Sequence, residues 1–137
     1  MQTFLPYSDF KKSAQVLDYR RLGKQRVEAL QIYKALTVEN YGWSNHPIVK
    51  MWQGYENALL EYKNIMIQEW IDRGFNNTMG METNIEPRIY PPWLGNEELH
   101  ASHRSNLLKK DYDYYSRFNW EEETGREYIW IIPEDLK

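Results

Sequence analysis

Cysteine is absent from this 137-residue chain, which excludes disulfides, thiolate metal sites and a cysteine nucleophile together. Histidine is scarce: His46, His100 and His103 are the only three. They show no zinc-like spacing, so no metal and no other cofactor is expected. No apolar run approaches the roughly 18 residues that a membrane span requires, and the opening Met1-Gln-Thr-Phe-Leu-Pro-Tyr7 lacks a basic region followed by an apolar stretch. A cytoplasmic protein with no membrane partner is expected. Positive charge is not in excess either. The net charge of −3 argues against a protein held to DNA by bulk electrostatics alone.

What the chain has in quantity is aromatic surface. Six Trp and eleven Tyr make an apolar payload that folds rather than stays disordered, and the length suits one domain spanning residues 1–137. Charge is unevenly spread. Residues 1–36 carry seven basic and three acidic side chains, a net +4, and the remainder carries −7. Phosphate contacts are therefore expected to start from the N-terminal quarter.

Patterning predicts a mostly α, compact helical bundle around one long central helix, with a long irregular loop and at most a small terminal strand pair. Ser8 or Asp9 can cap a short helix ending near Leu17, and Asp18 can cap the next, residues 19–36, whose Leu22, Ala29, Tyr33 and Leu36 share one face. After a loop, Pro47 suits the first turn of a helix capped by Ser44 or Asn45. Ile48, Trp52, Tyr55, Leu59, Tyr62, Met66 and Trp70 then step by four and three. Gly74 supplies the stop. This central helix is expected to run about 28 residues, or roughly 40 Å. Gly80, Pro87, Pro91, Pro92 and Gly95 mark residues 75–96 as an extended loop of the functional kind. Asn96 with Glu97 and Glu98 opens a helix to about Lys110, and residues 111–120 can add a turn. Residues 128–133, Tyr-Ile-Trp-Ile-Ile-Pro, read as a short strand that could lie beside residues 3–5.

Three sets of residues carry candidate chemistry. On the second helix, Arg20, Arg21, Lys24 and Arg26 are a solvated charged face or a phosphate site, with Arg20 the best single candidate. In Leu99-His-Ala-Ser-His-Arg-Ser-Asn-Leu107, His103 shares a face with Leu99 and Leu107 while His100 and Arg104 flank it. Two readings stand: an acid or phosphate ligand with Arg104 and Asn106, or a core histidine satisfied by a carbonyl or by Asn106. Trp52, Tyr55, Tyr62 and Trp70 follow the helical stripe and belong to the core. Trp43, Tyr90, Trp93, Tyr112, Tyr114, Tyr115 and Phe118 lie in or beside loops, where they either stack on a base or pin the loop to the bundle; Trp43, Trp93 and Tyr115 are the stacking candidates.

A resemblance joins these pieces. Residues 48–76, ending in Glu69-Trp-Ile-Asp-Arg-Gly-Phe-Asn76, resemble the central helix of the pyrimidine-dimer DNA glycosylases of the phage endonuclease V family. Asp18-Tyr-Arg-Arg-Leu-Gly-Lys-Gln-Arg-Val27 is similar to that family's acidic-Tyr-Arg-Glu-Leu segment, and Glu98 to Leu107 with Tyr114, Tyr115 and Phe118 is similar to its last helix and aromatic tail. The resemblance implies that a free N-terminal amine attacks the sugar C1′, that a helix glutamate assists, and that arginines grip phosphates beside a displaced base. An α-amine suits this role because part of it is neutral near physiological pH and can form an imine.

The chain departs from that pattern at both decisive positions. Gln2 is too bulky for ordinary removal of the initiator residue, so the amine belongs to Met1 and sits one residue further out, which leaves Met1 and Gln2 as the terminal candidates. Where the family has its glutamate, this chain reads Arg21. Glu28, two turns along the same face, and Asp18, three positions before, are the acidic candidates to replace it. Two functions follow from different classes: a DNA glycosylase and abasic lyase acting on a damaged or modified base, or a domain that binds a nucleotide-like ligand in the equivalent pocket through Arg21, His103 and Arg104.

Overall fold

A computed structural model describes residues 1–86 and 89–137; Pro87, one of the prolines assigned to the long loop, lies outside the described residues. The described chain is mostly helical. Asp9 takes the Lys12 N–H on its carboxylate at 2.8 Å and so caps α1 (Phe10–Val16). Leu17 turns extended, and α2 (Tyr19–Thr37) begins after Asp18. Leu22, Gln25, Ala29 and Ile32 are its buried stripe. Gly23 also has a packing reason. A Cβ at this position would meet the Trp70 ring at 3.0 Å, so the absence of a side chain lets that indole lie against α2.

The expected single central helix is two helices. α3 (Pro47–Trp52) is capped by His46, whose Nδ1 accepts the Ile48 N–H at 3.1 Å, rather than by Ser44 or Asn45. It ends at Gln53, which is extended, and at Gly54, whose φ of +90° only glycine adopts without strain. The Glu56 carboxylate accepts the Gly54 N–H at 3.3 Å, and α4 (Glu56–Asp72) continues in nearly the same apolar register. Gly74, at φ +89°, closes it as expected.

Asn96 caps α5 (Glu97–Lys110) through the Leu99 N–H, with Glu97 and Glu98 at its positive end and Lys109 and Lys110 at its negative end. Asp111 then caps α6 (Tyr112–Tyr115), and a 3₁₀ turn (Ser116–Phe118) follows. No strand is present among the described residues. The anticipated pairing of 3–5 with 128–133 is replaced by side-chain bonding: the N–H groups of Phe4 and Leu5 go to Gln25 and His103, and that of Ile129 goes to the Ser102 hydroxyl.

α2 packs most extensively on α4, with α1 against α4 and α3 against α2. Leu5, Leu17, Leu22, Ile32, Trp52, Leu59, Tyr62 and Met66 fill the core between them. No helix among the described residues is long and apolar enough to cross a membrane.

Candidate active site

Residues 2–6 are buried without helix or strand, and polar side chains from three helices bind the backbone of this N-terminal segment. The Gln2 N–H donates to Glu28 Oε2 at 3.3 Å, and Gln25 Nε2 donates both to the Gln2 carbonyl and to Glu28 Oε2, each at 3.0 Å. Gln25 Oε1 accepts the Phe4 N–H at 2.8 Å, while the Tyr62 hydroxyl sits between that oxygen and the Phe4 carbonyl. Trp52 Nε1 donates to the Thr3 hydroxyl.

From α5, His103 Nδ1 accepts the Leu5 N–H at 2.9 Å, His100 Nδ1 donates to the Leu5 carbonyl at 2.7 Å, and Arg104 donates to the Pro6 carbonyl at 2.7 Å. A backbone buried without a sheet must have each polar group met individually. Side chains of α2, α4 and α5 do this for most of residues 2–6, and Gln2 Oε1 accepts the Thr3 N–H.

His103 lies in the core with neither expected partner: its Nδ1 accepts the Leu5 N–H instead of meeting a carbonyl or Asn106, and its Nε2 is buried with no hydrogen-bond partner among the described residues. His103 is fully buried, and burial first, then the charges of His100 and Arg104, push its imidazole down to about 3, so it is neutral and takes the tautomer with its proton on Nε2. His100, likewise lowered by burial, accepts the Gly95 N–H on Nε2. Burial works against the Arg104 charge, but hydrogen bonds to Glu122 and Glu97 outweigh it and raise its pKa above the ordinary value. Asn106 is spent on the carbonyls of Ser102 and Arg126. His100, His103 and Arg104 bind the N-terminal segment, Asn106 bonds within its own helix and to the Arg126 carbonyl, and none of the four is among the residues lining the cavity, where the acid and phosphate-ligand reading would have placed them.

Beside that segment lies a cavity of about 850 Å³. One wall is α2, with Asp18, Tyr19, Arg20, Arg21, Lys24, Gln25 and Glu28; the other is the α5–α6 junction, with Lys110, Asp111 and Tyr114; Phe4 belongs to its floor. Arg20 and Lys24 are exposed at this surface, with the Arg20 guanidinium over the Tyr19 ring. Arg21 pairs with Asp18 at 3.2 Å.

Arg26 points elsewhere. It stacks on Trp70 at 4.2 Å and donates to Asn77, and burial lowers its pKa, because two positions beyond Lys24 the helix has turned its side chain to the α4 side. Of the basic set, Arg20, Arg21 and Lys24 line the cavity. Tyr19, Gln25, Lys110 and Asp111 were missed, whereas Tyr114 stood among the aromatics read as stacking on a base or pinning the loop; of those missed, only Gln25 left a trace, as a polar residue three positions from Leu22 on the buried stripe.

Glu28 is the acidic residue that meets the N-terminus, bonded to Gln2 as described, whereas Arg21 pairs with Asp18. Gln2 is 4% exposed, and Met1 packs half-buried against the core. Two further groups sense this corner. Burial lowers the His46 pKa, and the terminal positive charge lowers it further; burial, then the Glu28 charge, raises the Tyr128 hydroxyl to about 12.

The stacking candidates separate. Trp93 is buried, donates to the Met51 carbonyl and meets Trp52 edge-on; Tyr115 is buried and bonded to Asp18. Both are core rather than base platforms. Trp43 is 60% exposed and contacts His46, away from the cavity.

No curated protein and no solved structure matches the chain. The sequence profile described as pyrimidine dimer DNA glycosylase matches residues 1–83, which include the N-terminal segment, all of α2 with Glu28, and the two halves of the central helix. With that match over more than half its length, the chain belongs to the pyrimidine dimer DNA glycosylase family.

Proposed function

We propose that the chain acts on DNA as a glycosylase and abasic lyase, with the α-amine of Met1 as nucleophile and Glu28 as its acid–base partner. The observation that carries this reading is the 3.3 Å bond from the Gln2 N–H to Glu28 at the edge of the cavity. Met1 is the preceding residue, and its terminal charge and the Glu28 charge both act on His46, so the two groups belong to one corner of the fold. The amine nitrogen bonds to the sugar C1′ as the C1′–base bond breaks, and the base leaves with that electron pair and acquires a proton. Glu28 accepts a proton from the nitrogen, and ring opening leaves an imine at C1′ and a hydroxyl at C4′. Loss of a 2′ proton then expels the 3′ phosphate. Arg20 and Lys24 take the flanking phosphates, and Lys110 faces them from the opposite wall.

One observation favours a second reading. The carboxylates of Asp18, Glu28 and Asp111 are interspersed with the cations of the cavity, which suits a compact nucleotide as well as a polyanion. The two separate on one experiment, borohydride reduction with an abasic-site duplex, run on the protein and on a form with its N-terminal amine blocked. An adduct that disappears on blocking supports the lyase. No adduct, together with mononucleotide binding, overturns it.

A further inference from the structure

Asp18 stands at the N-cap of α2, yet its carboxylate makes no capping bond to that helix. An aspartate in this position ordinarily bonds the N–H two or three residues on and contributes about 1 kcal/mol. Here both oxygens are committed elsewhere. Oδ1 accepts the Tyr115 hydroxyl proton, and Oδ2 accepts from Arg21 Nη1 at 3.2 Å. The Tyr115 oxygen in turn accepts the Asp18 N–H at 3.0 Å. Tyr115 is fully buried and Asp18 is 6% exposed, so the pair is a fixed two-bond lock between residues 97 positions apart.

Burial and the adjoining carboxylate hold the Tyr115 hydroxyl far above its ordinary pKa, and it remains a donor at every working pH. Asp18 is the protein partner of Arg21 among the described residues, and Arg21 lines the cavity. A guanidinium has five N–H donors. Asp18 uses one, and the others remain for a ligand.

We propose that Tyr115 is a positioning residue for Arg21: through Asp18 it holds the guanidinium in the cavity wall as the receptor for one phosphate of bound DNA. The inference rests on the reading that the ligand is DNA. It explains why the lost helix cap is tolerated, why an arginine stands where the family resemblance leads one to expect a glutamate, and why an aromatic residue outside the matched segment reaches the first turn of α2. A merely structural tyrosine would need a bond partner, but not one whose second oxygen orients a cavity arginine.

The test is binding of a labelled duplex carrying a tetrahydrofuran abasic analogue, which needs no chemistry, measured across a salt series. Arg21→Gln is expected to weaken binding about tenfold and to lower the salt slope by about one phosphate contact. Tyr115→Phe, which keeps the ring, is expected to match it, and adding Tyr115→Phe to Arg21→Gln is expected to change nothing further.

Asp18→Asn serves if the phenylalanine variant does not fold. It weakens binding if Asp18 orients Arg21. Tighter binding, the result expected if Asp18 only neutralises the arginine, overturns the proposal. So do unchanged binding by Arg21→Gln, full additivity in the double variant, and failure of the parent protein to bind. If the parent binds with the coupling but forms no borohydride adduct, the lyase reading fails and this one stands; if the adduct forms without the coupling, this one fails alone.

Discussion

Lowering the pH from 7.5 to 5 is expected to destabilise the protein through His103, and replacing that residue is expected to remove this part of the loss. His103 accepts the Leu5 N–H on Nδ1, so a protonated imidazolium would set two donors against each other inside the core. Its pKa is about 3 in the folded protein against an ordinary 6.5. The folded pKa is lowered, so the unfolded chain takes up the proton first. The stability His103 contributes is complete above about pH 6.5 and is lost as pH falls toward 3.

At pH 5 the loss is 1.5 units below the unfolded value, about 2 kcal/mol at 1.36 kcal/mol per unit. His100, Arg104 and Glu122 face the same region and contribute their own pH dependence, so the informative quantity is a difference of differences. Urea unfolding of the parent and of His103→Asn at pH 7.5 and pH 5 supplies it. The variant is expected to be less stable at pH 7.5 by about 1–3 kcal/mol, from lost packing on Phe4 and Tyr128. The gap should nearly close at pH 5. A gap unchanged between the two pH values would refute the reasoning.

Gly54→Ala meets no neighbour within 4 Å, but must adopt φ +90°, and is expected to cost about 1–2 kcal/mol in denaturant unfolding. Arg104→Met leaves Glu122 and the Pro6 carbonyl unpaired; a stability loss of about 3 kcal/mol is expected, with faster hydrogen exchange at the Leu5 amide. Glu28→Gln keeps an acceptor for the Gln2 N–H but no base, so single-turnover borohydride trapping is expected to slow about a hundredfold or more while thermal unfolding moves little.

Helix starts were legible where a side chain caps locally, as at Asp9 and Asn96, because such a signal spans only three residues. The break at Gly54 was not, since the apolar spacing continues through it and periodicity is blind to one glycine at positive φ. The helix at 97–110 was read correctly as dense in hydrogen-bonding groups. Their destination, the backbone of residues 5 and 6 some 95–98 positions away, has no local signature. The same holds for the lock between Tyr115 and Asp18. Glu28 was a candidate from its helical face, but only the folded N-terminal segment singles it out from Asp18.

Peptide mapping of the borohydride-reduced adduct with abasic-site DNA tests the central claim most directly, because the cavity also holds the amines of Lys24 and Lys110. The account predicts that the sugar is carried on the α-nitrogen of Met1. An adduct on Lys24 or Lys110, or no adduct at all, would contradict it.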